Sequence, residues 1–212
     1  MRHPRAIASA VLCVGVVSLG APLLAFEARV TSLRVTGTRL WAAIELRDLL
    51  RDNFLSLVRE GRAVFVQLQA DLWEDRRVLD RVVVTAPATT YRIDGEANGT
   101  AVLVIDQYGN GQRHGDLRQP LSLRIELGAA APLAPEETYY LHAVITAATV
   151  DERDIDQAGE AIFGEERSAR GLTALGRFVF RTLLRMGKYL ESADAEVTSR
   201  RVSGREIAAG VF

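Results

Sequence analysis

The chain has 212 residues, of which 26 are basic and 27 acidic, so its formal net charge is −1. This near-neutral balance excludes the overall positive field with which a protein attracts nucleic acid, and no nucleic-acid partner is expected. Hydrophobic residues make up 48% of the chain and charged residues 25%, which is typical of a globular protein with a substantial core.

Residues 1–26 predict export from the cytoplasm. Arg2 and Arg5 precede Ala6–Phe26, a segment without a charged side chain. A basic region followed by an apolar one is typical of a signal peptide, and about 20 apolar residues can also cross a membrane as a helix. Because the positive charge lies N-terminal to the apolar segment, we expect a periplasmic protein, either free after cleavage or anchored to the inner membrane. The single cysteine, Cys13, lies in this leader, so the exported part has no disulfide.

The first exported residues predict a hairpin followed by a helix. Ala28–Val35 and Arg39–Leu46 alternate between apolar and polar residues on either side of Gly37, which indicates two antiparallel strands. The spacing then becomes that of an amphipathic helix, with Asp48 as a candidate N-cap and Gly61 just past its end. The apolar face of this helix is formed by Leu50, Phe54, Leu57 and Val58.

From residue 63 to residue 150 the dominant period is again two. The connections are short and contain none of the helical crossovers that parallel strands require. Residues 27–150 are therefore predicted to form a mainly β, antiparallel two-sheet sandwich of the immunoglobulin-like kind, with a flattened barrel as the alternative. In Ala63–Trp73 the inward row should be Val64, Val66, Leu68, Ala70 and Leu72. The further predicted strands are Val78–Thr85, two strands that flank Gly95–Gly99, Leu121–Leu127 and Thr138–Val150.

The last quarter of the chain has a different composition. Residues 151–166 hold seven acidic side chains and one arginine, whereas residues 167–205 hold nine basic and three acidic ones. We interpret residues 151–170 as an acidic linker, 171–195 as a long basic amphipathic helix, and 196–212 as a tail that is poorly ordered unless it docks. The positive stripe of the helix consists of Arg177, Arg181, Arg185 and Lys188, opposite a face that contains Leu172, Leu175, Val179, Leu183, Met186 and Leu190.

Four stretches in a fixed order after the leader carry a resemblance to a known family. They are a predicted helix ending in LVREG, the long strand AVFVQLQADLW, the charged stretch WEDRRVLD and a following strand that contains YRI. In these stretches residues 30–150 resemble the exported bacterial family called domain of unknown function 4390. The resemblance implies a secreted or inner-membrane-anchored β-rich protein. It implies no catalytic residues, because the family has no assigned activity.

The loop at residues 106–120 is the best candidate for a ligand site. Its glycines permit unusual backbone angles, and its side-chain oxygens are of the kind that Ca²⁺ binds. The spacing does not match the EF-hand pattern, and a flexible hairpin loop accounts for the same residues. A small-ligand or Ca²⁺ site here would use Asp106, Asn110, His114 and Asp116. No metal or cofactor is predicted, since His142 has no second ligand at neighbouring strand positions and zinc needs three or four ligands.

The stretch LWEDRRVLD offers a second kind of chemistry, because Glu74 and Asp75 could act as a carboxylate pair in a hydrolase. Adjacent residues point to opposite faces of a strand, however, and a charged hairpin tip accounts for both. The chain also has no G-x-S-x-G motif and no serine with an evident histidine partner. A hydrolase is therefore the least favoured reading.

The preferred hypothesis is a non-enzymatic envelope protein with an interaction or structural role. Its basic helix would contact an envelope protein or an anionic membrane surface. The alternative for the stripe is a helix that packs its apolar face on the sandwich and turns its arginines to water or to the acidic linker. The alternative functions are a small-ligand or Ca²⁺-binding module and a hydrolase.

Overall fold

The computed structural model describes residues 26–96, 99–117, 119–150 and 192–210. Within these ranges the protein is mainly β, with two antiparallel sheets and two short helices, which confirms the mainly β, antiparallel two-sheet part of the predicted fold. The elements in chain order are β1 (Glu27–Thr36), β2 (Arg39–Arg47), α1 (Asp52–Arg59), β3 (Ala63–Glu74), β4 (Arg81–Thr85), β5 (Thr89–Gly95), β6 (Val102–Ile105), β7 (Gly111–His114), β8 (Leu121–Ala129), β9 (Thr138–Val150), β10 (Ser192–Thr198), β11 (Val202–Ser203) and α2 (Gly204–Ala209).

The strands divide into a small sheet with the order β1-β2-β8 and a large sheet with the order β10-β9-β3-β5-β6-β7. β4 pairs with β3 beyond β5, and β11 pairs with β9 beyond β10. β3 and β9 can each hold two partners along one edge because they are 12 and 13 residues long. Among the described residues the sheets therefore have three and eight strands, which differs from the four and three strands of an immunoglobulin constant domain.

The inward row of β3 lies at the centre of the core. Val64, Val66, Leu68 and Leu72 are completely buried and Ala70 is 4% exposed, so the predicted row is confirmed. Burial of each large aliphatic side chain stabilises the fold by about 1.5–3 kcal/mol. The small sheet faces this row with Leu40, Ala42, Ile44 and Leu46 from β2 and with Leu123, Ile125 and Leu127 from β8.

A β-bulge in β1 brings two residues into the core that simple alternation would separate. The pairing register with β2 shifts between Val30 and Ser32, so Thr31 is the extra residue. Val30 and Leu33 are three positions apart in the sequence, and both are buried. The bulge reverses the side-chain alternation between them, which keeps both on the inner face.

α1 closes one end of the core between the sheets. It begins later than predicted, because Arg51 is its N-cap residue and Asp48 adopts a left-handed conformation (φ 61°) instead of capping the helix. The reason is that Leu49 and Leu50 are both buried, and two consecutive inward side chains require a turn before the helix. Gly61 follows the helix with φ 85°, as predicted. The buried face contains the predicted Phe54, Leu57 and Val58.

The chain returns to the large sheet at Ser192. Residues 171–191 of the predicted basic helix lie outside the described residues. The helix does not extend to residue 195 as predicted, since Ser192–Thr198 form β10 and pair with β9. The physical reason is a period-two pattern of small residues: Ala193 is buried, and Ala195 and Val197 pack against the core.

The predicted C-terminal tail is docked over its described part. Ile207 of α2 is completely buried. A capping box begins α2: the Ser203 hydroxyl accepts a hydrogen bond from the Glu206 backbone N–H, and the Glu206 carboxylate accepts one from the Ser203 backbone N–H. Gly204 fits closely against the Ala134 carbonyl, where a Cβ atom would overlap the oxygen. Residues 192–210 are therefore an integral part of the β-body.

Candidate functional site

The two ends of the β-body carry different segments of the chain. Glu27 at the start of β1 pairs with Arg47 at the end of β2, and Ala63 at the start of β3 pairs with Val150 at the end of β9. α1 connects β2 to β3 at this end, which we call the α1 end. β9 is 13 residues long, so the opposite end lies about 40 Å away at ~3.3 Å per residue.

A hydrogen bond between two connections establishes that β1 and β9 share this orientation. The backbone N–H of Ala130, in the β8–β9 connection, donates to the carbonyl of Thr38, in the β1–β2 turn, at 2.9 Å. The β1–β2 turn thus lies where β9 begins, and the start of β1 lies where β9 ends. Phe26, Val150 and Ser192 therefore all lie at the α1 end. They mark where residues 1–25 join the described chain and where the chain enters and leaves residues 151–191.

The four predicted ligand residues do not converge. Asp106 and Asn110 flank the β6–β7 turn, where Asp106 Oδ1 accepts from the backbone N–H groups of Tyr108 (2.8 Å) and Asn110 (2.9 Å), and its Oδ2 accepts from the Asn110 side-chain amide (2.9 Å). His114 and Asp116 lie at the other end of β7, about 13 Å away along the strand. Asp106 therefore uses its carboxylate to hold the turn. No group of three His, Cys, Asp or Glu side chains in the described ranges is arranged to hold a metal ion.

Glu74 and Asp75 point in different directions, and each is paired with arginine. Glu74 is 5% exposed, and its two carboxylate oxygens lie 2.5 Å from Arg76 Nε and 2.5 Å from Arg81 Nη2. Asp75 Oδ2 lies 2.5 Å from Arg201 Nε. The hydrogen bond from Arg76, supported by that from Arg81, lowers the pKa of Glu74 below its ordinary value despite the opposing effect of burial. Glu74 is thus a buried counter-ion for two arginines rather than one half of an acid–base pair.

The loop between β3 and β4 carries an exposed apolar tip. Residues 76–80, here called the β3–β4 tip, lie at the end of the β-body opposite α1. Val78 is 97% exposed and Leu79 is 79% exposed, the highest values among the large hydrophobic residues described. Arg77 beside them is exposed and has no ion-pair partner within the described part of the chain. An open depression of about 660 Å³ at the tip is lined by Trp73, Arg76, Arg77, Val78, Leu79, Asp80, Arg81 and Val82.

Aromatic and polar contacts hold the base of the β3–β4 tip. The rings of Trp73 and Tyr140 stack with centroids 6.4 Å apart at an interplanar angle of 6°. The Arg201 guanidinium lies over the Tyr140 ring, 5.5 Å from its centroid. The Tyr140 hydroxyl donates to Asp80 Oδ2 at 2.8 Å, and Asp80 Oδ1 accepts from the Arg76 backbone N–H at 2.9 Å. The hydrogen bond from the Arg76 backbone, followed by that from Tyr140, lowers the pKa of Asp80.

The sequence predicted a charged hairpin tip at Glu74 and Asp75 but placed Val78 and Leu79 inside the following strand, so the apolar part of the tip was missed. β4 begins three residues later than predicted, at Arg81. The run VLDRVVV has strand-like composition, but Asp80 is drawn back to Tyr140 and to the Arg76 backbone. The chain therefore turns at residues 77–80 instead of pairing with β3. The signal that was available is Asp80, because aspartate is depleted in strands and favoured in turns.

His142 lies on the outer face of the large sheet, as expected for a histidine in the wall of a sandwich. Its Nε2 lies 2.7 Å from Glu196 Oε1 on the neighbouring strand β10.

The predicted membrane- or partner-contact residues, Arg177, Arg181, Arg185 and Lys188, lie outside the described residues. The acidic linker at residues 151–170 lies outside them too.

Comparison with known proteins identifies no relative: no family model, no curated protein and no solved structure matches the chain. The resemblance to the domain of unknown function 4390 family thus stays a prediction.

Neither α1 nor α2, the helices of the described ranges, has the length and apolar character needed to span a membrane.

Proposed function

We propose that this protein is a non-enzymatic module of the bacterial envelope. In this proposal the leader exports the chain to the periplasm, and the basic stripe at residues 177–188, in its predicted helical form, contacts the anionic surface of the inner membrane. One observation carries the proposal: Phe26, Val150 and Ser192 lie at the same end of the β-body. The leader and the basic segment are therefore attached to the same end.

This placement determines how the basic segment would meet a membrane. A leader retained as an anchor holds the α1 end next to the bilayer, so the basic segment is presented at high effective concentration to the lipid headgroups. Each arginine or lysine near an anionic surface contributes about 1 kcal/mol, so a stripe of four would strengthen binding by roughly a thousandfold. After cleavage of the leader the same stripe would give weaker, salt-sensitive binding.

The alternative functions receive less support from the geometry. Asp106 and Asn110 are satisfied by each other and by the β6–β7 turn, which leaves no convergent set of ligands for Ca²⁺. Glu74 and Asp75 each bind arginine and do not face a common cleft. Both features stabilise the fold without need of a ligand or a substrate.

Vesicle flotation tests the proposal directly. The chain from Phe26, which is buried in the core, to residue 212 serves as the protein without its leader. It should float with vesicles of phosphatidylglycerol and phosphatidylcholine but not with phosphatidylcholine alone, and added salt should reduce the bound fraction. The variant Arg177→Glu/Arg181→Glu/Arg185→Glu should lose most of this binding. A matched control, Arg34→Glu/Arg124→Glu/Arg205→Glu, makes the same change of charge at exposed positions outside the α1 end. Equal loss in both variants, or loss in neither, would contradict the proposal.

A further inference from the structure

We propose that the β3–β4 tip is a docking site for a partner protein segment that places a carboxylate beside an aliphatic or aromatic side chain. The first observation is exposure. Val78 and Leu79 are consecutive aliphatic residues at 97% and 79% exposure, and Val82 at the start of β4 adds a further 41% exposed side chain. Isolated exposed aliphatics are common, but an adjacent group at one loop tip marks an interaction surface.

The second observation is that the β3–β4 tip is held in place. Asp80 binds both the Arg76 backbone N–H and the Tyr140 hydroxyl, and the Glu74 carboxylate binds Arg76 and Arg81 on either side of the tip. These contacts lock the two sides of the loop while leaving Val78 and Leu79 outside. A partner would therefore meet a surface that is already ordered, which lowers the entropy lost on binding.

The third observation is charge, and it determines the chemistry of the occupant. The acidic side chains in the tip and at the adjoining end of β3 are engaged: Glu74 by two arginines, Asp75 by Arg201, and Asp80 by Tyr140. The charge of Glu137, in the β8–β9 connection, acts on Arg76. Within residues 74–81 the charged side chain without a partner is positive, since Arg77 is exposed and has no ion-pair partner in the part of the chain that the structure describes. An apolar surface beside a free guanidinium is complementary to an apolar side chain beside a carboxylate, which arginine can bind through two hydrogen bonds.

The position of the tip favours a protein over a bilayer as the occupant. The tip lies about 40 Å from the α1 end, at ~3.3 Å per residue of β9, and the leader joins the chain at the α1 end. With the α1 end at the membrane, as the proposed function has it, the tip points into the aqueous compartment. This step rests on the proposed function, whereas the exposure, rigidity and charge of the tip do not.

Selection from a displayed library of random peptides tests the inference on the chain without its leader. Peptides with Asp or Glu within three positions of a large apolar residue should be enriched. Their affinity should fall by roughly tenfold or more for Val78→Ser/Leu79→Ser, and also for Arg77→Glu. Because all three side chains are exposed, the melting temperature of each variant should stay that of the wild type. A control variant, Leu103→Ser, changes a 38% exposed leucine on β6, away from the tip, and should leave affinity unchanged.

Two outcomes would overturn the inference. One is a selection that enriches no acidic–apolar peptides, or enriches peptides that bind the tip variants as tightly as the wild type. The other is loss of vesicle flotation on Val78→Ser/Leu79→Ser, which would make the tip a membrane-inserting loop. A failure of the proposed function gives a different result. Flotation would then be insensitive to the Arg177, Arg181 and Arg185 substitutions, while the peptides selected at the tip would still bind.

Discussion

Tyr91→Phe removes one hydroxyl that links the two sheets. Tyr91 lies on β5 of the large sheet and is 8% exposed, and its hydroxyl donates a hydrogen bond to the carbonyl oxygen of Arg124 on β8 of the small sheet. Because the aromatic ring stays, the substitution removes the hydrogen bond without opening a large cavity. We expect a loss of about 1 kcal/mol in the free energy of unfolding at pH 7, which is the usual net value of one such bond.

The pH dependence of this loss gives a second, more specific expectation. Burial raises the pKa of Tyr91 from its ordinary 10.0 to about 12. A group whose pKa is raised by folding contributes its full stability below the unfolded pKa and loses that contribution as the pH rises towards the folded pKa. By pH 11 the free energy of unfolding of the wild type has fallen by about 1.4 kcal/mol through this titration, which Tyr91→Phe lacks. The advantage of the wild type over Tyr91→Phe should therefore vanish near pH 11.

Urea denaturation of both proteins at pH 7, 9 and 11 measures the effect. The control is Tyr108→Phe, because Tyr108 is 75% exposed and its substitution should change the unfolding midpoint at none of these pH values. A stability difference between wild type and Tyr91→Phe that stays constant or widens from pH 9 to pH 11 would refute the assignment of the hydroxyl as a buried link between the sheets.

Three further predictions concern the core, the C-terminal segment and the buried carboxylate. Leu72→Ala, at a fully buried position, should cost about 2–5 kcal/mol by urea denaturation, whereas Leu79→Ala should cost almost nothing. Gly204→Ala should lower stability by about 1–3 kcal/mol, because its methyl group overlaps the Ala134 carbonyl; a stabilised variant would show that α2 does not dock there. Since the pKa of Glu74 is lowered from 4.5 by folding, its ionised form stabilises the fold fully above about pH 4.5 and less as the pH falls below it. The stability curves of wild type and Glu74→Gln should thus converge in acid, and curves that diverge there would contradict the pairing with arginine.

The inward faces of the strands and of α1 were predictable from the sequence. In β3 the apolar side chains from Val64 to Leu72 alternate strictly with the outward-facing ones. Because removing apolar surface from water is favourable, this face is the buried one. The face of α1 is predictable for the same reason. The start of α1 was not, because burial of both Leu49 and Leu50 forces a turn that helical spacing does not anticipate.

The candidate site depended on contacts between distant residues, which local patterns do not contain. Arg201 and Asp75 are 126 positions apart, and Tyr140 and Asp80 are 60 apart. These two contacts decide that Asp75 and Asp80 hold the loop and that Val78 and Leu79 are left outside. Likewise Asp106 looked like a Ca²⁺ ligand by residue type, and only its hydrogen bonds show that its oxygens serve the β6–β7 turn.

The sequence by itself determined that residues 27–150 form antiparallel sheets around an apolar core. Side-chain alternation is a local property of a strand, and the connections are too short for parallel pairing. Only the tertiary structure decided that β10, separated from β9 by 41 residues, pairs beside it. As a result residues 1–25 and residues 151–191 are attached at one end of the β-body, and the β3–β4 tip lies at the other. Pairing across such a distance depends on how the edges of β9 and β10 fit together and on burial of small residues such as Ala193. Both exist only once the sheet has assembled, so local sequence patterns do not contain them.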